Sequence, residues 1–168
     1  CTDAQKENVK MAEKAINYFA VKTGLPTYFI LAPNSIYINQ DKLPNNITPT
    51  DQSAIINEVY TACQNVKCIN TVNTLEENKS NTQLYFRTDH HMTSEGAYLL
   101  YQEFCKTAGI EPAELSDFTK ETVSTSFLGT FDSKAQVPFQ KQDDITVYKN
   151  DINTNVLGDY DGETYNSI

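Results

Sequence analysis

The chain contains two histidines, and they are neighbours, in the run Tyr85-Phe86-Arg87-Thr88-Asp89-His90-His91-Met92-Thr93. Histidine is the side chain whose ordinary pKa lies nearest neutrality, so it is the usual general base. Asp89 stands two positions before His91. The stretch Gln83-Leu84-Tyr85-Phe86 reads as a short strand, and in an extended chain residues i and i+2 share a face at roughly 7 Å spacing. On that geometry Asp89 reaches one ring nitrogen of His91 while His90 points the other way. An acid holding an imidazole is two thirds of a nucleophile–His–acid triad. Asp89 also precedes a helix, where a carboxylate serves simply by facing the positive end of the dipole. Both readings stay open on the residues alone. As metal ligands the same three residues are a poor set, since adjacent histidines are expected on opposite faces, and no metal or other cofactor is expected.

Four cysteines are present: Cys1, Cys63, Cys68 and Cys105. Cys63 and Cys68 flank a helix end and a strand start, close enough to be bridged across a tight turn, with free thiols as the alternative. A single C-x4-C pair lacks the second ligand pair of a zinc finger. Asn46 and Asn78 begin Asn-x-Ser/Thr sites, which carry meaning only in a secreted eukaryotic protein.

Positioning these residues requires alternating helices and strands. Val9, Ala12, Ile16 and Phe19 form one stripe of a helix over Asp3 to Thr23, closed by Gly24. Thr27–Ala32 is a nearly all-apolar run of strand formers, as in a strand buried on both faces. It ends at Pro33-Asn34-Ser35, and Ile36-Tyr37-Ile38 follows before a polar loop. Thr48-Pro49-Thr50-Asp51 reads as a helix start with Thr48 as N-cap and Pro49 first in the helix. Val66–Val72 reads as a strand and Thr74–Lys79 as a helical turn. A helix over Ser94 to Ala108 is expected to bury Ala97, Leu100, Tyr101, Phe104 and Cys105, with Gly109 ending it. Later signals are weaker: a helical turn at Glu114–Phe118, strands at Thr119–Phe127 and Ile145–Tyr148, and irregular chain beyond Asn150. The order argues for one α/β domain over 1–168, with a mainly parallel sheet and residues 150–168 irregular. In such sheets reactive groups gather after the carboxyl ends of strands, where both Pro33-Asn34-Ser35 and Asp89-His90-His91 fall.

Composition narrows the partners. At 168 residues the chain can bury a core, and hydrophobic residues make up 39%. A formal charge of -9 argues against nucleic acid and against an anionic membrane face. The longest apolar runs are too short to span a bilayer, and no signal peptide is visible, as expected of a mature, trimmed or cytosolic chain.

The run from Leu84 through Asp89-His90-His91-Met92-Thr93-Ser94-Glu95-Gly96-Ala97 to Tyr98 resembles the signature of the DHHW-motif proteins of Gram-positive bacteria. The resemblance extends to Pro26–Ser35, to Lys42-Leu43-Pro44, and to Val123–Lys134 with its Phe-Leu-Gly-Thr-Phe-Asp-Ser-Lys. That family is related to SGNH/GDSL-type esterases and to bacterial proteins that O-acetylate exopolysaccharides such as alginate. It implies a three-layer α/β/α sandwich and an extracytoplasmic acetyltransferase or acetylesterase acting on a cell-envelope or secreted polysaccharide. Asp89 becomes the orienting acid and His91 the general base. Arg87 matches a motif position suited to an anionic or hydroxyl-rich substrate, and His90 becomes a neighbour or substrate contact.

Implied partners are a polysaccharide or small acyl ester, and a membrane-associated acyl donor. The implied location is extracellular or cell-surface, in keeping with a disulfide. Ser35 sits where SGNH enzymes hold their nucleophile, with Asn34 as an oxyanion donor, but the turn lacks the usual small residues. Asp132-Ser133 resembles the family's Asp-Ser yet follows the segment that precedes the true one. Ser94 reads as scaffolding. Two departures stand out: Met92 replaces the motif's tryptophan, removing an indole on which a sugar stacks, and the downstream Asp-Ser does not occur before Ile168. Tyr37 and Tyr98 are candidates to line a sugar groove. The 168 residues are accordingly expected to be the central part of a longer protein, with the nucleophile outside them. The alternatives are a non-catalytic surface or carbohydrate-binding domain, or an inactive fragment.

Overall fold

Helix α1 covers Asp3–Thr23, the span the apolar spacing predicts, and Gly24 terminates it in the left-handed region at φ 63°, donating to Ala20 O at 3.1 Å. The computed structural model describes residues 3–150, 155–157 and 164–166. These residues fall into two compact units, one of Cys1–Tyr85 with Glu95–Pro112, the other of Phe86–Ser94 with Ala113–Ile168.

In the first unit, strand β1 (Tyr28–Ile30) is shorter than the apolar run suggests. Pro33 and the Asn34 cap stop it and start helix α2 (Ser35–Ile38), followed by a 3-10 turn at Gln40–Lys42. Helix α3 spans Gln52–Ala62. Its N-cap is Asp51, whose Oδ1 accepts from Ala54 N at 3.0 Å, so the helix starts three residues later than the Thr48-Pro49 signal indicates. Ile56 and Val59 of α3 are buried. Strand β2 (Lys67–Ile69) pairs in parallel with β1, with Phe29 opposite Cys68.

The Tyr60 hydroxyl holds these two strands at their carboxyl ends. It donates to Ile69 O at 2.7 Å and accepts from Leu31 N at 2.8 Å. Burial raises its pKa, which keeps the donating proton in place. Asn17 of α1 fixes the turn after α3, donating to Ala62 O at 2.9 Å and accepting from Gln64 N at 2.6 Å.

Helix α4 (Val72–Asn78) takes the Val72 that the sequence reading gives to a strand. At its end Lys79 Nζ reaches Ile38 O, Asp41 and Glu76, each at 2.8 Å. Helix α5 spans Ser94–Ala108 as expected, and Gly109 closes it at φ 72° while Ile110 N donates to Cys105 O at 2.9 Å. Its buried positions are Gly96 and Cys105; Ala97 and Tyr101 are exposed, a correction to the expected face. The backbone explains the rotation. A Cβ on Gly96 would meet the Leu84 carbonyl, with 3.1 Å to its carbon and 3.2 Å to Leu84 Cα, so only glycine lets α5 lie this close.

In the second unit, β3 (Thr119–Phe127) runs antiparallel to β4 (Asp143–Lys149) with two register shifts, and helix α6 (Thr130–Ala135) lies between them in the chain. Strands β5 (Asn155–Leu157) and β6 (Thr164–Asn166) pair antiparallel, where irregular chain is expected beyond Asn150. The remainder of that tail lies outside the described residues, as does Cys1.

The fold is therefore mixed α/β with small sheets. Among the described residues one strand pair is parallel and two are antiparallel, so a mainly parallel sheet is not what these residues form. The reason is local: the apolar run, half-buried and not buried on both faces as expected, contributes three paired residues, whereas the polar stretch of β3 forms a nine-residue strand.

Gly96→Ala is expected to destabilise the protein by about 1–3 kcal/mol, because overpacking against backbone outweighs the ~1 kcal/mol gain in helix propensity. Urea unfolding of the two proteins measures it.

Candidate functional site

No strand forms at Gln83–Phe86. Phe86–Thr93 is instead a turn, in which Phe86 N donates to His91 O at 3.2 Å. The i, i+2 pairing of Asp89 with His91 persists for a different reason. The Asp89 side chain folds over its own backbone, and Oδ1 accepts both His91 N at 2.9 Å and the His91 ring Nδ1 at 2.5 Å. This is the turn chemistry of Asx residues, not the face-sharing of a strand.

The other carboxylate oxygen is held from far along the chain. Asp89 Oδ2 accepts from Thr130 N at 2.8 Å, at the start of α6. Two further bonds fasten the same segments: Gly129 N donates to Thr88 Oγ1 at 2.9 Å, and Phe131 N to Thr88 O at 2.8 Å. Gly129 permits the approach, since a Cβ there would fall 2.5 Å from Asp89 Oδ2.

Electrostatics follow from these bonds. Burial pushes the Asp89 carboxyl upward, but the donors from Thr130 and His91, backbone and side chain alike, outweigh it and hold the group well below the usual carboxylate range. Asp89 is thus an anion at every physiological pH. In the neutral imidazole an anionic acceptor places the proton of His91 on Nδ1 and leaves the lone pair on Nε2. The Asp89 side chain is 3% exposed and that of His91 69% exposed, so a sealed carboxylate aims an open imidazole. That is the arrangement general-base catalysis needs.

His90 does not point the other way. Its ring stacks on that of His91 with centroids 3.9 Å apart, its Nδ1 is 3.1 Å from Thr130 Oγ1, and Asp89 Oδ1 lies 3.4 Å away. The turn, unlike a strand, brings consecutive side chains to one side. Ligand atoms of Asp89, His90 and His91 consequently lie within 4.8 Å of one another. A zinc ion needs each donor at about 2.0–2.2 Å, which leaves no room for it between Nδ1 and Oδ1 while their hydrogen bond stands.

Arg87 is tied to Asp143, at the start of β4. Its backbone N donates to Asp143 Oδ2 at 2.6 Å, and its guanidinium pairs with Oδ1. The Asp143 side chain is 1% exposed and that of Arg87 42%, so the guanidinium keeps an outward face beside the turn. Ser94 Oγ donates to Thr146 O of β4 at 2.5 Å, which agrees with scaffolding. Ser133 Oγ donates to Thr130 O at 3.0 Å, within α6.

Asn34 and Ser35 belong to the first unit. Asn34 Oδ1 accepts from Tyr37 N at 3.1 Å and caps α2, while Asn34 N donates to Gln52 Oε1 at 2.9 Å, at the start of α3. Cys63 and Cys68 are both thiols and half-buried, and Cys63 is a neighbour that helps raise the pKa of Cys68. Sequence reasoning misses Thr88, Gly129, Thr130 and Asp143. Gly129 and Thr130 do fall in the Phe-Leu-Gly-Thr-Phe segment, but nothing local marks that segment as the partner of residue 89.

The chain belongs to the DHHW protein family, whose sequence profile matches residues 6–165. No curated protein sequence matches it. Among solved structures it is similar to a DHHW family protein from Eubacterium siraeum, with 25% identity, TM-score 0.70, and 82% of this chain covering 46% of that one. It is similar in fold to Bacillus cereus PatB1 with a sulfonyl adduct, with 23% identity, TM-score 0.69, and coverage of 95% and 57%. The O-acetyltransferase domain of Pseudomonas putida AlgJ shares the fold at 15% identity, TM-score 0.65, and coverage of 89% and 59%. The chain thus spans about half to three fifths of these proteins.

Two outcomes follow for the Asp89 clamp. Because its folded-state pKa is depressed, the stability it contributes is complete above the ordinary carboxylate value of about 4 and is lost as pH falls further. The stability difference between wild type and Asp89→Asn, from urea unfolding at stepped pH, is expected to shrink steadily below about pH 4. Gly129→Ala is expected to lower stability by about 1–3 kcal/mol at neutral pH, since the methyl group must push the carboxylate off Thr130 N.

Proposed function

We propose that this DHHW chain is the acid–base half of an extracytoplasmic acyl-transfer protein, an acetyltransferase or acetylesterase acting on a cell-envelope or secreted polysaccharide. The observation that carries the proposal is the Asp89–His91 pair: a permanently ionised, buried carboxylate bonded at 2.5 Å to the Nδ1 of an exposed imidazole. His91 Nε2 takes the proton of a serine hydroxyl as it attacks the acyl carbonyl, then returns it to the leaving oxygen. Asp89 holds the tautomer and stabilises the imidazolium. Arg87 offers its outward guanidinium face to a hydroxyl-rich or anionic substrate, and His90 flanks the base as a substrate contact.

The serine is proposed to come from sequence beyond these residues. The chain covers only 46–59% of the structures it resembles, which supports that reading. Completion of the sheet into a three-layer sandwich by the same additional sequence belongs to this proposal. PatB1 carries a sulfonyl adduct, and sulfonyl electrophiles are captured by activated nucleophiles, which favours nucleophilic chemistry on this fold.

Acetyl release from a chromogenic ester by the full-length protein tests the reading. His91→Ala and Asp89→Asn are each expected to lower kcat about 10²–10⁴-fold with the fold retained by circular dichroism. Unchanged turnover in a folded His91→Ala protein would exclude His91 as the base and leave a glycan-binding or scaffolding domain.

A further inference from the structure

We propose that Cys63 and Cys68 form an intramolecular disulfide by exchange with a disulfide-bearing oxidant, stapling the end of α3 to the middle of β2. The inference is independent of the acyl-transfer reading. Cys63 is the C-cap of α3, its N–H donating to Tyr60 O at 3.2 Å, and Cys68 is the central residue of β2, opposite Phe29. Between them the chain reverses through Asn65 at φ 57°, a conformation asparagine tolerates better than most residues. Both side chains are half-buried, and Cys63 is the neighbour that, after burial, raises the pKa of the Cys68 thiol, so the two thiols adjoin. The backbone on either side of Cys63 is held from outside the turn as well, by the two Asn17 bonds to Ala62 O and Gln64 N. A bridge there closes a short loop without having to draw distant segments together.

The bridge reinforces a connection that the Tyr60 hydroxyl makes in the reduced protein. Tyr60 joins α3 to Ile69 of β2 and to Leu31 just past β1. A covalent tie between α3 and β2 fixes the frame that positions that hydroxyl.

The chemistry is thiol–disulfide exchange. One thiolate attacks the oxidant, forming a mixed disulfide and releasing one thiol. The second cysteine then displaces the remaining thiol, so two protein thiols are oxidised as one external disulfide is reduced to two thiols. Burial and the neighbouring Cys63 thiol push Cys68 up to about 11. At neutral pH about one Cys68 in ten thousand is then a thiolate, so attack by Cys68 itself is slow. The pair is suited to a lasting structural bond installed by an oxidoreductase, not to rapid redox sensing.

The test uses the full-length protein, reduced and then equilibrated in oxidised and reduced glutathione, with acid quench, thiol alkylation and peptide mass mapping. The expected product is one Cys63–Cys68 bridge, 2 Da lighter by the standard mass of two hydrogens, with the buried Cys105 alkylated only after unfolding. Closure is expected to accelerate about tenfold per pH unit between roughly pH 7 and 9, as the thiolate fraction rises. The melting temperature of the oxidised wild type is expected to exceed that of the reduced form by roughly 5 °C, and Cys63→Ala is expected to abolish that difference. Should that variant fail to fold, the wild-type mapping and melting comparison stand without it. Both thiols free in the oxidising buffer, a bridge to Cys1 or Cys105, or a bridge with no melting shift would each overturn the proposal.

Discussion

A carboxylate removed from water must find donors for its charge, and Asp89 finds them from two directions. Its own turn supplies the His91 backbone and ring, and a segment forty-one residues later supplies Thr130 N. An unpaired anion at that depth would cost several kcal/mol, so the turn, the glycine at position 129 and the start of α6 are fixed together by one requirement. Arg87 and Asp143 repeat the device nearby, bonding the same turn to β4. The histidine that faces outward is the least constrained member of the group. Its orientation is a by-product of how the acid beneath it is satisfied.

Much of the scaffold is legible in the sequence because helix ends are written locally. The limits of α1 and α5 and the extent of β3 follow from apolar spacing and from Gly24 and Gly109. Starts that depend on competing signals do not. Thr48 with Pro49 is a good N-cap pattern, yet Asp51 captures the role by bonding Ala54 N. Val72 has strand propensity and enters a helix. The parallel strands are the clearest shortfall, because an apolar run announces burial without saying how many of its residues will find a partner.

The site divides in the same way. The pairing of Asp89 with His91 is readable from spacing, although the strand invoked for it is absent and the turn that replaces it reverses the expected direction of His90. Thr130 and Gly129 are unreadable as partners of position 89, since a long-range contact through backbone N–H leaves no mark on side-chain identity beyond the missing Cβ. The family relationship points to that segment without giving its purpose. The geometry does: it is the lid on the buried charge.

The separation between Asp89 and Thr130 has a temporal side. During synthesis the turn emerges well before the residues that complete it, so the nascent imidazole lacks its full anchorage until α6 has left the ribosome and closed a loop of forty residues or so. Orientation of the His91 imidazole is thereby linked to folding of the later segment, and a partially made polypeptide carries a histidine that is present but unaimed.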